Sequence, residues 1–262
     1  MFEQDDTSDK KEKINKLLLD LKGESCAENL SAIRQGQVTN VGLINQFKKH
    51  NFIPNLWFDW ARRLDADVMI IGQDWGPYIE LKKVIDQYEI EKSLSGFDYD
   101  DFLLRTANSR TEKLIFRILQ KTYLEKYSRQ MPAQLLSEFI FTIAVMFTRQ
   151  GKHFRGSEYF DPTQSIENSY QYLSRQIEIV QPLVVIPLGG LALKIVNEYF
   201  NLGFGEKTVT QIIQDTEPTG YIESDSTSII PCFHPAAHIS PDKQAKQWKV
   251  LWDVLDKQGK EV

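Results

Sequence analysis

The chain has 262 residues, enough to bury a full core and a length that suits one α/β domain. Its 42% apolar and 26% charged residues are ordinary for a globular protein and exclude a low-complexity or fibrous chain. A formal net charge of −5 argues against a protein that coats nucleic acid non-specifically, although it leaves room for a local basic mouth.

The N-terminus, Met1-Phe2-Glu3-Gln4-Asp5-Asp6, is acidic and has no apolar stretch, so it does not read as a signal peptide. The longest apolar runs, residues 139–147 and 183–196, are too short or too interrupted by Pro and Gly to span a bilayer. A cytoplasmic location is expected. Cys26 and Cys232 belong to no C-x-x-C pair, which excludes a four-thiolate zinc or iron–sulfur site within one chain. Two buried or free thiols fit this setting better than a single disulfide.

In chain order, residues 1–10 read as a disordered lead-in and 11–21 as an amphipathic helix. Residues 1–50 are expected to form a helical extension ahead of an α/β domain at 51–262. Four short apolar, β-branched runs follow at 68–71, 139–146, 183–188 and 228–233. Each is apolar nearly throughout rather than alternating, as in strands covered on both faces. Helical patterns separate them. Leu114, Ile115, Ile118, Leu119 and Tyr123 keep the three-four spacing of a buried face, as do Ile166, Tyr170, Leu173, Ile177 and Val180. Asp161-Pro162 and Ser240-Pro241 each place a capping side chain before a proline at the first helical position. Trp248, Leu251, Trp252 and Leu255 form the core stripe of the last helix. Strands separated by helices predict βαβ units and a mainly parallel four-stranded sheet, with ligands at the carboxyl ends of the strands.

Those ends carry the chemistry. After the first strand, Gly72-Gln73-Asp74-Trp75-Gly76-Pro77-Tyr78 makes a tight turn that aims Asp74 into the crevice; the alternative is that Asp74 caps the helix beginning near Tyr78. After the second, Arg149, Lys152, His153 and Arg155 surround Phe154, a mixture suited to a phosphate backbone or to a solvated loop. After the third, Gly189-Gly190 turns at once into a helix over 191–200, either for close packing on the strand or to hold an anion. After the fourth comes His234-Pro235-Ala236-Ala237-His238-Ile239. A histidine there can donate to developing negative charge, or serve only the structure.

Gly72-Gln73-Asp74, Gly76 and His234-Pro235-Ala236-Ala237, with Leu188-Gly189 before Ala192, resemble the uracil-DNA glycosylase superfamily over residues 52 to 256. The resemblance implies that family's three-layer α/β sandwich. It also implies a DNA glycosylase that releases uracil or a related deaminated base from a nucleotide turned out of the stack. Asp74 would position water and stabilise an oxocarbenium-like centre, and His234 would hydrogen-bond the leaving base. Gly72, Gln73, Trp75, Gly76, Tyr78, Thr142 and Ile143 would surround the base, with Trp75 or Tyr78 as the stacking ring. Arg149, Lys152, His153, Arg155, Pro235, Ala236, His238 and Ile239 would meet DNA, single-stranded or duplex, with Ile239 as the apolar wedge.

The pattern departs from the family at several places, one being the wedge position beside Ala237, where His238 stands instead of an aliphatic residue. Gly76 stands where one branch carries a thymine-blocking tyrosine. Ile143 stands where an asparagine commonly reads the base edge, and the iron–sulfur branch's cysteines are absent. No metal or other cofactor is expected, nor any membrane partner, and a monomer is expected. The alternative is a family member that binds nucleic acid or a nucleotide-like ligand in this pocket without excision. A hydrolase of another kind is poorly supported, because no nucleophilic Ser or Cys sits in a G-x-S-x-G elbow.

Overall fold

The structure, a computed structural model, describes residues 3–22, 38–41, 44–50, 52–73, 76–149, 162–237 and 239–260. The chain divides into two compact units. One contains Met1–Leu64, Gln73–Ala107 and Phe141–Val180; the other contains Asp65–Gly72, Asn108–Ile140 and Gln181–Val262.

The central sheet has strand order β3-β2-β5-β7-β6, with β2 at Val68–Gly72, β3 at Phe139–Ile143 and β5 at Val184–Pro187. The short β6 spans Ile222–Ser224 and β7 spans Thr227–Ile229. β2 and β7 both run parallel to β5, in register Val68↔Val184, Ile71↔Pro187 and Val184↔Ser228. Every residue of β2, β3 and β5 is buried, which explains why their sequences are continuously apolar. The chain thus has the mostly parallel α/β sheet expected of it, with five strands among the described residues rather than four. The fifth, β6, pairs antiparallel to β7 at the edge, and its half-exposed residues leave no apolar run to read. A separate two-stranded sheet pairs β1, Val38–Asn40, with β4, Phe147–Arg149.

In the first unit the N-terminal helix runs from Glu3 to Lys22, about two turns longer than its apolar stripe alone indicates. Residues 3–10 of the polar lead-in are therefore helical rather than disordered. Ile14, Leu17, Leu18 and Leu21 are buried, and the helix packs against Pro162–Val180. Arg175 of that helix pairs with Asp20 at 2.7 Å. In the second unit, helix Arg110–Tyr127 starts in a capping box between Ser109 and Glu112, and it packs on helix Pro241–Lys257. Ser240 caps the latter, its Oγ accepting from Lys243 N at 3.4 Å with Pro241 beginning the helix. Asp161, the other expected cap, lies outside the described residues. No helix among the described residues is long and apolar enough to cross a membrane.

Candidate functional site

The carboxyl edge of the parallel sheet in the second unit is held in register by main-chain hydrogen bonds. Leu188 N donates to Ile71 O at 2.9 Å, and Gly189 N donates to Cys232 O at 2.9 Å. Leu188 and Cys232 also form a parallel bridge. Gly72 therefore ends β2 on the same edge from which His234 emerges two residues after Cys232. Cys232 itself is a buried free thiol whose pKa burial pushes well up, so it serves as a small core residue.

His234 is held from two sides. The main-chain N–H of Ala236 donates to its Nδ1 at 3.2 Å. A ring nitrogen that accepts carries no proton, so the imidazole hydrogen sits on Nε2 and is available to donate. Burial lowers the pKa of this histidine below the ordinary 6.5, which keeps the ring neutral at physiological pH. The arrangement supplies a fixed, uncharged N–H donor. The turn behind it is equally constrained. Ala237 N donates to His234 O and Ile239 N to Ala237 O, both at 2.8 Å. Buried Gln244, on the last helix, donates from Nε2 to Pro235 O at 3.3 Å and to Ile239 O at 3.4 Å.

Gly189 sets the other side. Its φ of +84° and ψ of −177° lie where essentially only glycine is comfortable, and a Cβ there would stand 3.2 Å from His234 Cβ. These contacts pack Gly189 closely against the turn that carries His234. Gly189→Ala is expected to cost about 1–3 kcal/mol of stability through backbone strain. It should also move the His234 imidazole resonances in ¹H–¹⁵N spectra, which a remote destabilisation would leave in place.

Other expected site residues fall in the first unit. Gln73 O accepts from Val145 N at 2.9 Å, tying the turn after β2 to the segment after β3. Gly76 has φ +98°, a left-handed backbone conformation that favours glycine. Tyr78 begins helix Tyr78–Glu91 and is half-buried. Thr142 and Ile143 are fully buried, and the Thr142 hydroxyl donates to Gln176 Oε1 at 2.6 Å. Arg149 ends β4 opposite Val38. Asp74, Trp75, Lys152, His153, Arg155 and His238 lie outside the described residues.

Residues 58–256 match the family model for the uracil DNA glycosylase superfamily. The chain belongs to this superfamily. The match nearly coincides with the 52–256 span over which the strand-end motifs place the resemblance, and no curated protein matches the chain. Gln244 and Gly189 both contact the turn that carries His234. The first has no sequence signal beyond its place one turn into the last helix. The second was visible as a glycine turn, but its partner is 45 residues away along the chain.

Proposed function

We propose that the protein is a DNA glycosylase that hydrolyses the N-glycosidic bond of uracil or a related deaminated base in DNA. The observation that carries this reading is His234: a neutral imidazole with its Nδ1 engaged by Ala236 and its Nε2 hydrogen left to donate. When the bond between the sugar C1′ and the base nitrogen breaks, the electron pair leaves with the base and charge collects on its carbonyl oxygen. A fixed N–H donor aimed at that oxygen stabilises the transition state more than the ground state. Asp74, in the Gly72-Gln73-Asp74 turn, is assigned to the opposite charge. Its carboxylate stabilises the oxocarbenium-like C1′ and orients the water whose oxygen bonds to that carbon. Arg149, Lys152, His153 and Arg155 are assigned to the phosphates, and Trp75 or Tyr78 to the face of the flipped base. The turn from Pro235 to Ile239, with His238, is assigned to the DNA strand.

A second reading keeps the pocket and removes the cleavage. Ile143 favours it, because a buried isoleucine offers no hydrogen bond to a base edge and so gives no means of telling one base from another.

The test is base release from labelled oligonucleotides carrying uracil, hypoxanthine, xanthine or mismatched thymine, single-stranded and duplex. Release that Asp74→Asn abolishes, with the unfolding midpoint unchanged, supports the glycosylase. Binding without release from any substrate, with wild type and Asp74→Asn bound equally, moves the chain to the second reading.

A further inference from the structure

The first unit contains a cavity of about 440 Å³ that none of the described residues assigned to base release lines. Its walls include Phe52, Phe58, Tyr88, Phe97 and Tyr99, contributed by separate elements. Three of these rings stand nearly perpendicular to one another. Phe52 and Tyr88 are 5.8 Å apart at 87°, Phe52 and Tyr99 6.3 Å at 83°, and Tyr88 and Tyr99 6.0 Å at 81°. Rings at right angles form the corner of a box, which surrounds a compact head; a flat heterocycle would call for two parallel rings to lie between.

A carboxylate borders the same cavity. Asp59 has a side chain only 4% exposed. Its Oδ1 accepts from the Tyr99 hydroxyl at 3.5 Å, and its Oδ2 lies 3.5 Å from Arg63 Nε but accepts no hydrogen bond among the described residues. Burial pushes this carboxyl up to about 6 against the pull of Arg63 and Arg62, the mark of an acceptor short of donors.

The rim already displays how such a box is used. The Arg62 guanidinium sits 4.5 Å from the centroid of the Tyr99 ring, while its half-exposed side chain reaches Asp100 at 3.5 Å. An aromatic face beside a buried carboxylate attracts a cation, and here the protein's own arginine occupies one face from the solvent side.

We propose that this cavity is a binding site for a compact alkylammonium ion, held by the faces of Phe52, Tyr88 and Tyr99 and paired with the Asp59 carboxylate that borders it. A head with at least one N–H is preferred over a quaternary one, because only the former can donate a hydrogen bond to the Asp59 carboxylate. Arg62 acts as a competing cation at the mouth.

The full-length chain is titrated at pH 8 with n-butylammonium, its N-methyl and N,N,N-trimethyl derivatives, uncharged 1-pentanol and adenosine, followed by the tyrosine ring resonances and by calorimetry. A short peptide carrying a methylated lysine distinguishes a cation taken free from one taken on a chain, and saturable binding of either form supports the site. Expected are binding of the protonated amines and little of 1-pentanol, with Asp59→Asn weakening the amines about ten-fold or more. Arg62→Ala, a change at a half-exposed residue, should instead tighten them about three- to ten-fold by freeing the Tyr99 face. The inference is overturned if no amine binds wild type or Arg62→Ala, if 1-pentanol binds as well as the amines, if adenosine alone binds, or if a folded Asp59→Asn binds amines as tightly as wild type.

Discussion

His234→Ala is expected to slow base release by about 10²–10³-fold, the usual consequence of deleting one donor that meets developing negative charge. The loss should fall on kcat rather than on KM, because the donor matters when charge appears on the leaving base and not before. Half-buried His234 contributes modestly to packing, so the variant is expected to unfold cooperatively with a slightly lowered midpoint. The pH profile sharpens the expectation. Burial lowers this histidine's folded pKa below 6.5, so the ring, with its hydrogen on Nε2, stays neutral to a pH lower than its ordinary value. Loss of activity on acidification through 6.5 should therefore be absent from the His234 contribution, and an acid limb centred there would contradict the environment described. Stability follows the same linkage with a definite sign. The unfolded chain takes up the proton at about 6.5 and the folded chain only at lower pH. The histidine's contribution is thus complete above 6.5 and is lost as pH falls below it, a dependence that His234→Ala should remove.

Much of this was legible in the amino-acid sequence, and the reasons differ between fold and site. β2, β3 and β5 were readable because strands buried on both faces must be apolar at every position, and a run such as Val68-Met69-Ile70-Ile71 has no other economical use. β6 was not, since three half-exposed residues at a sheet edge carry neither a continuous run nor an alternation long enough to recognise. Helix Val209–Asp215 follows no apolar run, and its signal in the sequence is the capping-box spacing of Thr208 and Gln211. At the site, His234 could be picked out because a strand end followed by His-Pro has few neighbours to confuse it with. Its two constraints could not. Ala236 N reaches Nδ1 only once the turn has formed, and Gln244 acquires its role from two carbonyls brought to it by the helix start at Ser240. The cavity beside Asp59 was invisible for the same reason. Its three perpendicular rings come from positions 52, 88 and 99, and no local pattern links a loop, a helix interior and a helix start.

Trp252→Ala is expected to destabilise the protein by about 3–5 kcal/mol, enough to threaten folding in a protein of ordinary stability. The side chain is fully buried in the second unit, edge-on to Tyr123 with centroids 5.2 Å apart and against Phe139 at 6.4 Å. It also joins two helices through one polar contact: its indole Nε1 donates to Thr122 Oγ1 at 2.9 Å, while that hydroxyl donates to Ile118 O at 2.8 Å. Nearby, Lys126 pairs with Asp253 at 2.6 Å and Tyr127 donates to Asp256 at 2.6 Å. These pairs are exposed and contribute little beside the ring, so they cannot hold the helices once it is gone. Trp252→Phe separates the two parts of the tryptophan's role. It retains most of the aromatic surface and removes the indole donor, and it should cost about 1–3 kcal/mol, from lost ring volume and the unmet acceptor on Thr122. Urea unfolding of the three proteins decides the matter. If phenylalanine is as damaging as alanine, the hydrogen bond to Thr122 governs this contact; if it is nearly neutral, the ring's packing between Tyr123 and Phe139 governs it. The expected order places phenylalanine well above alanine, because the buried ring displaces far more water than one hydroxyl acceptor can repay.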